Sequence, residues 1–420
     1  MAEPVYVIGA GRTDFKRNFM KEGKTIRHIL VEAGRAALAD AGIDPGEIDA
    51  GVVGNFAGGL FTRQLHLGAF LIEIDDKLRG LPTVHVEAAC ASGGVAVLTG
   101  AQQIMGGLHE VVLVAGAEQQ KTMTPSEGAA VLAAAGDYHA EAPLHGEFMF
   151  PKLFARIAQV YGERHGLTEQ DLARVGCKNH AHARLNPLAQ KRDSTLTLRE
   201  ACTESESNRR VAPPLKLSDC SPITDGGAAV VLCSETFAKK VLASRPRERR
   251  VAVRLLGFGH TTDYLPLERK DAPDFSVAGK AAAHAYAVSG LGPQDIDAAE
   301  VHDCFSISEI LASEILGFAA RGAGTKLLEC GATALPQVRA ELEIRNPQSA
   351  IRNVPINPGG GLMGDGHPVG ATGVRQVVSA CQQLTGVAGA HQVEGVKRVL
   401  TFNMGGSMTT SVVMIWGKES

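Results

Sequence analysis

Cys90 stands in Glu87-Ala88-Ala89-Cys90-Ala91-Ser92-Gly93-Gly94, where a strand-like run at 81–86 gives way to a helix read over 94–105. Its neighbours are small enough to leave a thiol open to a reagent. The helix carries no Asp, Glu, Lys or Arg, so burial is expected. The free amides and positive dipole end at its N-terminus would stabilise a thiolate. A thiol nucleophile needs a base, and His367 in Gly366-His367-Pro368-Val369-Gly370-Ala371-Thr372-Gly373 is a fitting one. Addition to a carbonyl needs donors for the developing oxyanion; His302, Asn403 and the amides of Gly405 and Gly406 are candidates. Carbon–carbon chemistry beside a carbonyl needs a second proton carrier, and Cys304 in Glu300-Val301-His302-Asp303-Cys304-Phe305 is available. Taken singly, a free cysteine is more often packing, and a histidine before proline more often structural. Their joint placement at the ends of repeated strands reverses that weighting.

The elements that must position these groups come in two copies. Val5-Tyr6-Val7-Ile8-Gly9-Ala10-Gly11 returns as Val253-Arg254-Leu255-Leu256-Gly257-Phe258-Gly259, an offset of 248 residues. The same offset relates Gly42 to Gly290, Pro45 to Pro293, Ile48 to Ile296 and Asp49 to Asp297. Self-similarity at one offset marks a duplication. In each copy an Ala-rich helix (30–41; 280–289) ends at glycine, followed by a proline turn and a short strand. Further on, each copy shows a small-residue loop, an apolar helix (94–105; 374–384) and a β-rich strand (111–114; 399–402). Strands alternating with helices predict an α/β fold, and two such halves predict a five-layered α-β-α-β-α sandwich. The halves are read as residues 1–118 with 219–245, and residues 246–420. Residues 119–218, richer in Pro, His and charge, interrupt the repeat as an inserted loop or lid domain.

Of the 420 residues, 45% are hydrophobic, enough for a large core in two or three domains. A net charge of −3 without any charged block gives nucleic-acid or membrane-surface binding no electrostatic support. The eight cysteines form no C-x-x-C pair, which argues against a structural zinc site and for reduced thiols. No metal site is predicted. The first residues read as a strand rather than a signal peptide, no run spans a bilayer, and the last residues form no peroxisomal address. The expectation is a cytoplasmic protein with neither membrane nor nucleic-acid partner.

The Cys90 loop, the block from Gly366 to Gly373, the glycine loop at Gly405-Gly406 and His302-Asp303-Cys304-Phe305 together resemble the thiolase superfamily over essentially the full chain. The His-Asp-Cys-Phe block is similar to that of sterol-carrier-protein-type and archaeal acetoacetyl-CoA thiolases; commoner thiolases carry Asn-Glu-Ala-Phe there. The resemblance implies a thiolase-like fold and CoA-dependent Claisen condensation or thiolytic cleavage through an acyl-Cys90 intermediate, of the acetyl-CoA acetyltransferase or 3-oxoacyl-CoA thiolase type. His367 would activate Cys90, and His302 would donate to the thioester oxygen of the second acyl-CoA. Coenzyme A would be a substrate, with no bound cofactor, and the chain would form a homodimer or a dimer of dimers. Met123, Phe148 and Met149 would line the acyl pocket. Lys178, Arg184, Lys191 and Arg192 are candidates for the CoA phosphates; Glu118 and His145 are left outside the site.

One departure is plain. The Cys-x-Gly cysteine of thiolases falls at Asn403, and an amide cannot act as a general base. Either Cys304 has taken over proton transfer, or the chain is a thiolase-fold lyase that cleaves a CoA thioester by a retro-aldol route, or it is a non-catalytic acyl-CoA- or lipid-binding homologue. Relatives with this pattern often work with a small companion subunit carrying a zinc ribbon and an OB-fold, and the resemblance implies such a partner.

Overall fold

The computed structural model describes residues 3–246, 251–342, 344 and 352–419. Its strands are β1 (Val5–Arg12), β2 (Ala50–Gly54), β3 (Thr83–Val86), β4 (Val111–Glu118), β5 (Arg210–Ala212), β6 (Leu215–Lys216), β7 (Gly226–Ser234), β8 (Ala252–Thr262), β9 (Ala298–Glu300), β10 (Arg398–Gly405) and β11 (Thr410–Glu419). The pair β5-β6 stands apart as a hairpin, and the others form one sheet ordered β3-β2-β4-β7-β1-β8-β11-β10-β9. The order contains the repeat: β2-β4-β7-β1 in one half matches β9-β10-β11-β8 in the other, each with a parallel first pair and antiparallel pairs after it.

The offset read from the sequence carries matching hydrogen bonds. Asp49 Oδ2 accepts from the N–H groups of Glu110 and Val111 (both 2.9 Å), and Asp297 Oδ2 accepts from Lys397 and Arg398 (2.9 and 3.0 Å). Each aspartate therefore clasps the start of the neighbouring strand. The helices Ile26–Ala41 and Ser276–Ser289 end at Gly42 and Gly290, both left-handed, with φ of 64° and 67°.

Alternation along the strands builds the layers. Val112 and Val114 of β4 face one core, while Val111, Leu113 and Ala115 face another. The helices Ser92–Met105 and Thr372–Thr385 fill the space between the half-sheets, where Val97 and Val377 join the core that holds Trp416 of β11. Ile26–Ala41 covers the outer face of the first half-sheet, and Ser276–Ser289 with Ser306–Ile315 covers that of the second. The fold is α/β, a five-layered sandwich. The half-sheets are not separate, however: β1 and β8 join them through Tyr6–Arg254 and Val7–Val253. Several helices begin two to four residues earlier than the apolar pattern suggests, at Ser92, Thr372 and Ser276. Their first turns hold small or polar residues that show no apolar period.

The central helices touch at their N-termini. A Cβ on Gly373 would lie 2.0 Å from Gly94 N and 2.3 Å from Asn403 Oδ1, so this approach requires glycine. It presses the loop before Ser92 against the loop before Thr372. At one end of the sheet, β9 is covered: Ala299 N–H donates to Pro355 O (3.0 Å) and Ala299 O accepts from Asn357 N–H (2.8 Å). At the other end β3 pairs, among the described residues, with β2 alone, and Val84 and His85 are exposed. Residues 119–218 fold as five helices and the β5-β6 hairpin. No helix among the described residues is long and apolar enough to cross a membrane.

Candidate active site

A 3₁₀ turn, Ala89–Ala91, leads into Ser92–Met105, with Ala89 at φ 51°, a strained conformation for alanine. Ser92 Oγ accepts from Ala88 N–H (2.9 Å) and donates to Ala89 O (2.6 Å), which holds this elbow. The elbow presents Cys90 to a cavity of about 1190 Å³ that His367, Cys304 and Gly406 also line. His367 Nδ1 lies 2.7 Å from Thr372 Oγ1, whose hydroxyl donates to Pro368 O (3.1 Å). That hydroxyl can only accept from the ring, so Nδ1 carries the hydrogen and Nε2 the lone pair.

Asn403 sets the opposite arrangement on His302. Its Nδ2 donates to Cys90 O (3.0 Å) and to His302 Nδ1 (3.1 Å), while its Oδ1 accepts from Gly94 N–H (3.0 Å). His302 Nδ1 is thus the acceptor and Nε2 bears the hydrogen; that Nε2 is buried without a partner. The two imidazoles meet edge to face, 5.0 Å apart at 89°. Cys90 Sγ and one nitrogen of each ring lie within 4.8 Å of one another. Such spacing suits a metal ion, but the His302 nitrogen left free carries a hydrogen fixed through Asn403, so the donor set does not fit one. Asn403 was expected as an oxyanion donor. Both of its amide hydrogens are engaged inside the protein, so its part is to align Cys90 and His302.

The electrostatics also correct the sequence reading. Burial pushes the Cys90 thiol up to about 12, with the Glu118 charge adding to it, although the N–H groups of Gly406 and Cys90 itself favour the anion. Burial drives His367 down to about 3 and His302 well below the ordinary imidazole range. The helix N-terminus therefore does not produce a resting thiolate; the resting pair is a neutral thiol and a neutral imidazole. Glu118, left outside the site by the sequence reading, is buried and raised to about 7 by that burial. It accepts from Asn55 Nδ2 (2.8 Å) and the N–H groups of Phe56 and Gly370 (both 3.0 Å), tying two loops of the site together. The signal available for it was a lone carboxylate closing the otherwise apolar strand β4.

Cys304 is buried at the cavity wall, its Sγ 3.8 Å from Ser308 Oγ; burial and then the neighbouring Cys90 push its thiol well above the usual range. Between the two site residues of its motif, Asp303 accepts from Asn179 Nδ2 (2.7 Å) and the N–H groups of Leu362 (2.7 Å) and Met363 (3.2 Å), pinning the glycine-rich loop ahead of His367. Gly405 leaves room for Ala88 O, which a Cβ would approach to 2.2 Å. Gly406, at φ 63°, turns its N–H toward Cys90. Lys270 fixes this turn from behind: its Nζ donates to Ser407 O (2.7 Å), Ser407 Oγ (2.8 Å) and Thr409 Oγ1 (2.7 Å). Neither Lys270 nor Thr372 was singled out from the sequence; Lys270 has no local motif, and Thr372 is marked only by its place at the start of a helix.

Phe148 and Met149 line the cavity as expected of an acyl wall, but Met123 does not; it lies half-buried in the turn before Pro125–Ala133. Of the four cations considered for phosphates, Lys178 is buried against Glu309, Arg184 pairs with Glu341, and Arg192 pairs with Asp14 (2.7 Å). Lys191 alone of the four lines the cavity. Arg199 and Arg209 line it too, and neither forms an ion pair among the described residues. In the sequence they read as ordinary surface charge.

Comparison with known proteins covers nearly the whole chain. The family model described as "Thiolase, N-terminal domain" matches residues 5–236, and "Thiolase C-terminal domain-like" matches 259–342 and 345–418. The chain is 36% identical over 414 residues to an acetyl-CoA acetyltransferase of Methanothermobacter thermautotrophicus, covering 99% of each. It is 32% identical over 412 residues to sterol carrier protein 2 of Homo sapiens, covering 96% of this chain and 70% of that one. Among solved structures, the Ltp2-ChsH2(DUF35) aldolase superposes with a TM-score of 0.77 at 24% identity, over 99% of this chain and 97% of that one, a likeness of fold. Both halves of the sandwich thus find their counterparts in one family, and the chain belongs to the thiolases.

Proposed function

We propose that this thiolase is a CoA-dependent acyltransferase working through an acyl-Cys90 intermediate, in thiolytic cleavage of a 3-oxoacyl-CoA or the reverse Claisen condensation. The observation that carries this reading is the convergence of Cys90, His302 and His367 within 4.8 Å beside a large cavity. With thiol and imidazole both neutral, the proton passes from Cys90 Sγ to His367 Nε2 as sulfur attacks the carbonyl carbon. The N–H groups of Gly406 and Cys90 receive the oxyanion, and His302 Nε2–H donates to the thioester oxygen of the second acyl-CoA, stabilising its enolate. In cleavage the tetrahedral adduct collapses, the bond between carbons 2 and 3 breaks to release the CoA-ester enolate, and Cys304 gives that enolate its α-proton; in condensation Cys304 removes that proton, a role closed to Asn403. Lys191, Arg199 and Arg209 receive the CoA phosphates.

Intact-protein mass spectrometry with a panel of 3-oxoacyl-CoAs, with and without CoA, tests this. An acyl adduct on Cys90 that CoA discharges is the expected result. Asn403 in place of a second base favours one other reading, a retro-aldol lyase, which would release a carbonyl product with no adduct. Full thiolase activity in folded Cys304→Ala would remove Cys304 from the scheme.

The same reading divides the chain into 1–118 with 219–245, an inserted 119–218, and 246–420. It has one protomer pair with its partner through the exposed edge of β3, as a dimer or a dimer of dimers. A small zinc-ribbon and OB-fold companion is supported by the Ltp2-ChsH2(DUF35) aldolase, whose name joins two components. Eight free cysteines support a reducing cytoplasmic setting.

A further inference from the structure

We propose that the acyl arm of this site is built for a bulky apolar acyl group, branched, aromatic or medium-chain, rather than for acetyl. The inference rests on the thiolase reading and deepens it. The cavity lining combines apolar side chains with basic ones. Its apolar wall is formed by Leu132, Ala135, Met149, Phe150, Phe154 and Phe305. Two short links run from that wall to the reacting sulfur, one through Cys304 and one through Gly406. Phe305 follows Cys304 in the chain, and Phe154 stacks on Phe305 with ring centroids 4.5 Å apart at 23°. Ala135 O presses on Gly406 so closely that a Cβ there would lie 2.8 Å from it, and Gly406 is the residue whose N–H faces Cys90. Exposed Arg199 and Arg209, with half-buried Lys191, mark the mouth.

An acetyl group would offer this wall a single methyl. Stacked rings and aliphatic side chains gain from an apolar ligand in proportion to the area it covers. At about 1190 Å³ the cavity exceeds the roughly 300–1,000 Å³ that encloses a drug-sized ligand, which leaves room for a large acyl group beside the pantetheine arm. Phe148, also at the cavity, is held at φ 57°, a conformation costly for an aromatic residue, immediately before Met149. Such strain is retained where a site is built.

Titration calorimetry of the Cys90→Ala chain with CoA and with acetyl-, butanoyl-, hexanoyl-, octanoyl- and phenylacetyl-CoA tests the proposal without requiring turnover. The Kd should fall about fourfold per methylene from acetyl to at least hexanoyl, with phenylacetyl-CoA also tighter than acetyl-CoA. Leu132→Trp, which narrows the arm, should flatten the ladder; an unchanged ladder in that variant overturns the assignment of this wall. Equal Kd values for acetyl- and octanoyl-CoA, or weakening with length, overturn the inference, and the thiolase reading survives if the unaltered chain still forms an acyl-Cys90 adduct. Failure of every CoA ester to bind overturns both.

Discussion

Thr372→Val isolates one hydroxyl that orients the base. Valine keeps the shape, and Pro368 O retains the N–H groups of Ala371 (2.9 Å) and Thr372 (3.1 Å), so the local backbone keeps its bonds. What is lost is the acceptor 2.7 Å from His367 Nδ1. With Nδ1–H buried and unpaired, the hydrogen moves to Nε2, and the lone pair that takes the Cys90 proton is gone from the cavity side. An orphaned buried donor costs about 1–3 kcal/mol, so the reactive tautomer falls, and kcat with it, by roughly 5- to 150-fold. KM for CoA should not move, since Thr372 is remote from the cationic mouth. Steady-state thiolysis measures the rates, and long-range ¹H–¹⁵N spectra report which imidazole nitrogen bears the hydrogen. Thr372→Ser restores the hydroxyl and should recover most of the activity. A kcat for Thr372→Val within twofold of the parent, or a serine variant as slow as the valine one, refutes the reasoning.

Four further outcomes are expected. Because burial holds Cys90 at about 12 and keeps His367 neutral above about 3, the thiolate fraction only grows with pH. Inactivation by iodoacetamide should therefore rise about tenfold per pH unit between 7 and 10, and a plateau below pH 8 would mean a preformed ion pair. Lys270→Met releases the turn that aims Gly406 N–H; kcat should drop by about 10²-fold with little change in KM, and Cys90 should alkylate more slowly at a fixed pH. In Gly373→Ala the new Cβ meets Gly94 N at 2.0 Å, and urea unfolding should show a loss of about 1–3 kcal/mol. Gly279→Ala, where nothing lies within 4 Å in the helix Ser276–Ser289, should instead stabilise by about 0.5–1 kcal/mol.

The duplication was legible because turn chemistry is local: a glycine ending a helix, a proline turn and an aspartate before a strand recur at one offset and do the same work in both copies. The proposed nucleophile and base were legible as candidates because small residues crowd around them. Protonation was not, since it depends on burial that the neighbouring residues do not reveal. A helix N-terminus pointed to a thiolate; burial among segments distant in sequence works against one. Asn403 looked like a missing base, and its work became visible only when folding brought it to Cys90 across 313 residues. Lys178 and Arg192 looked like phosphate ligands until the carboxylates they meet were in place. Arg199 and Arg209 went unnoticed for the converse reason, because a cavity wall drawn from distant segments has no period.

The unequal ends of the sheet limit how far it can grow. Residues 355–357 cap β9, whereas β3 offers its outer edge with no described strand upon it. Were two copies to pair edge to edge through β3, each would use the one uncovered edge that the described residues show in its nine-stranded sheet. Such assembly would terminate itself: two nine-stranded sheets would become one closed unit, and the route to fibres open to a sheet with two bare edges would be blocked.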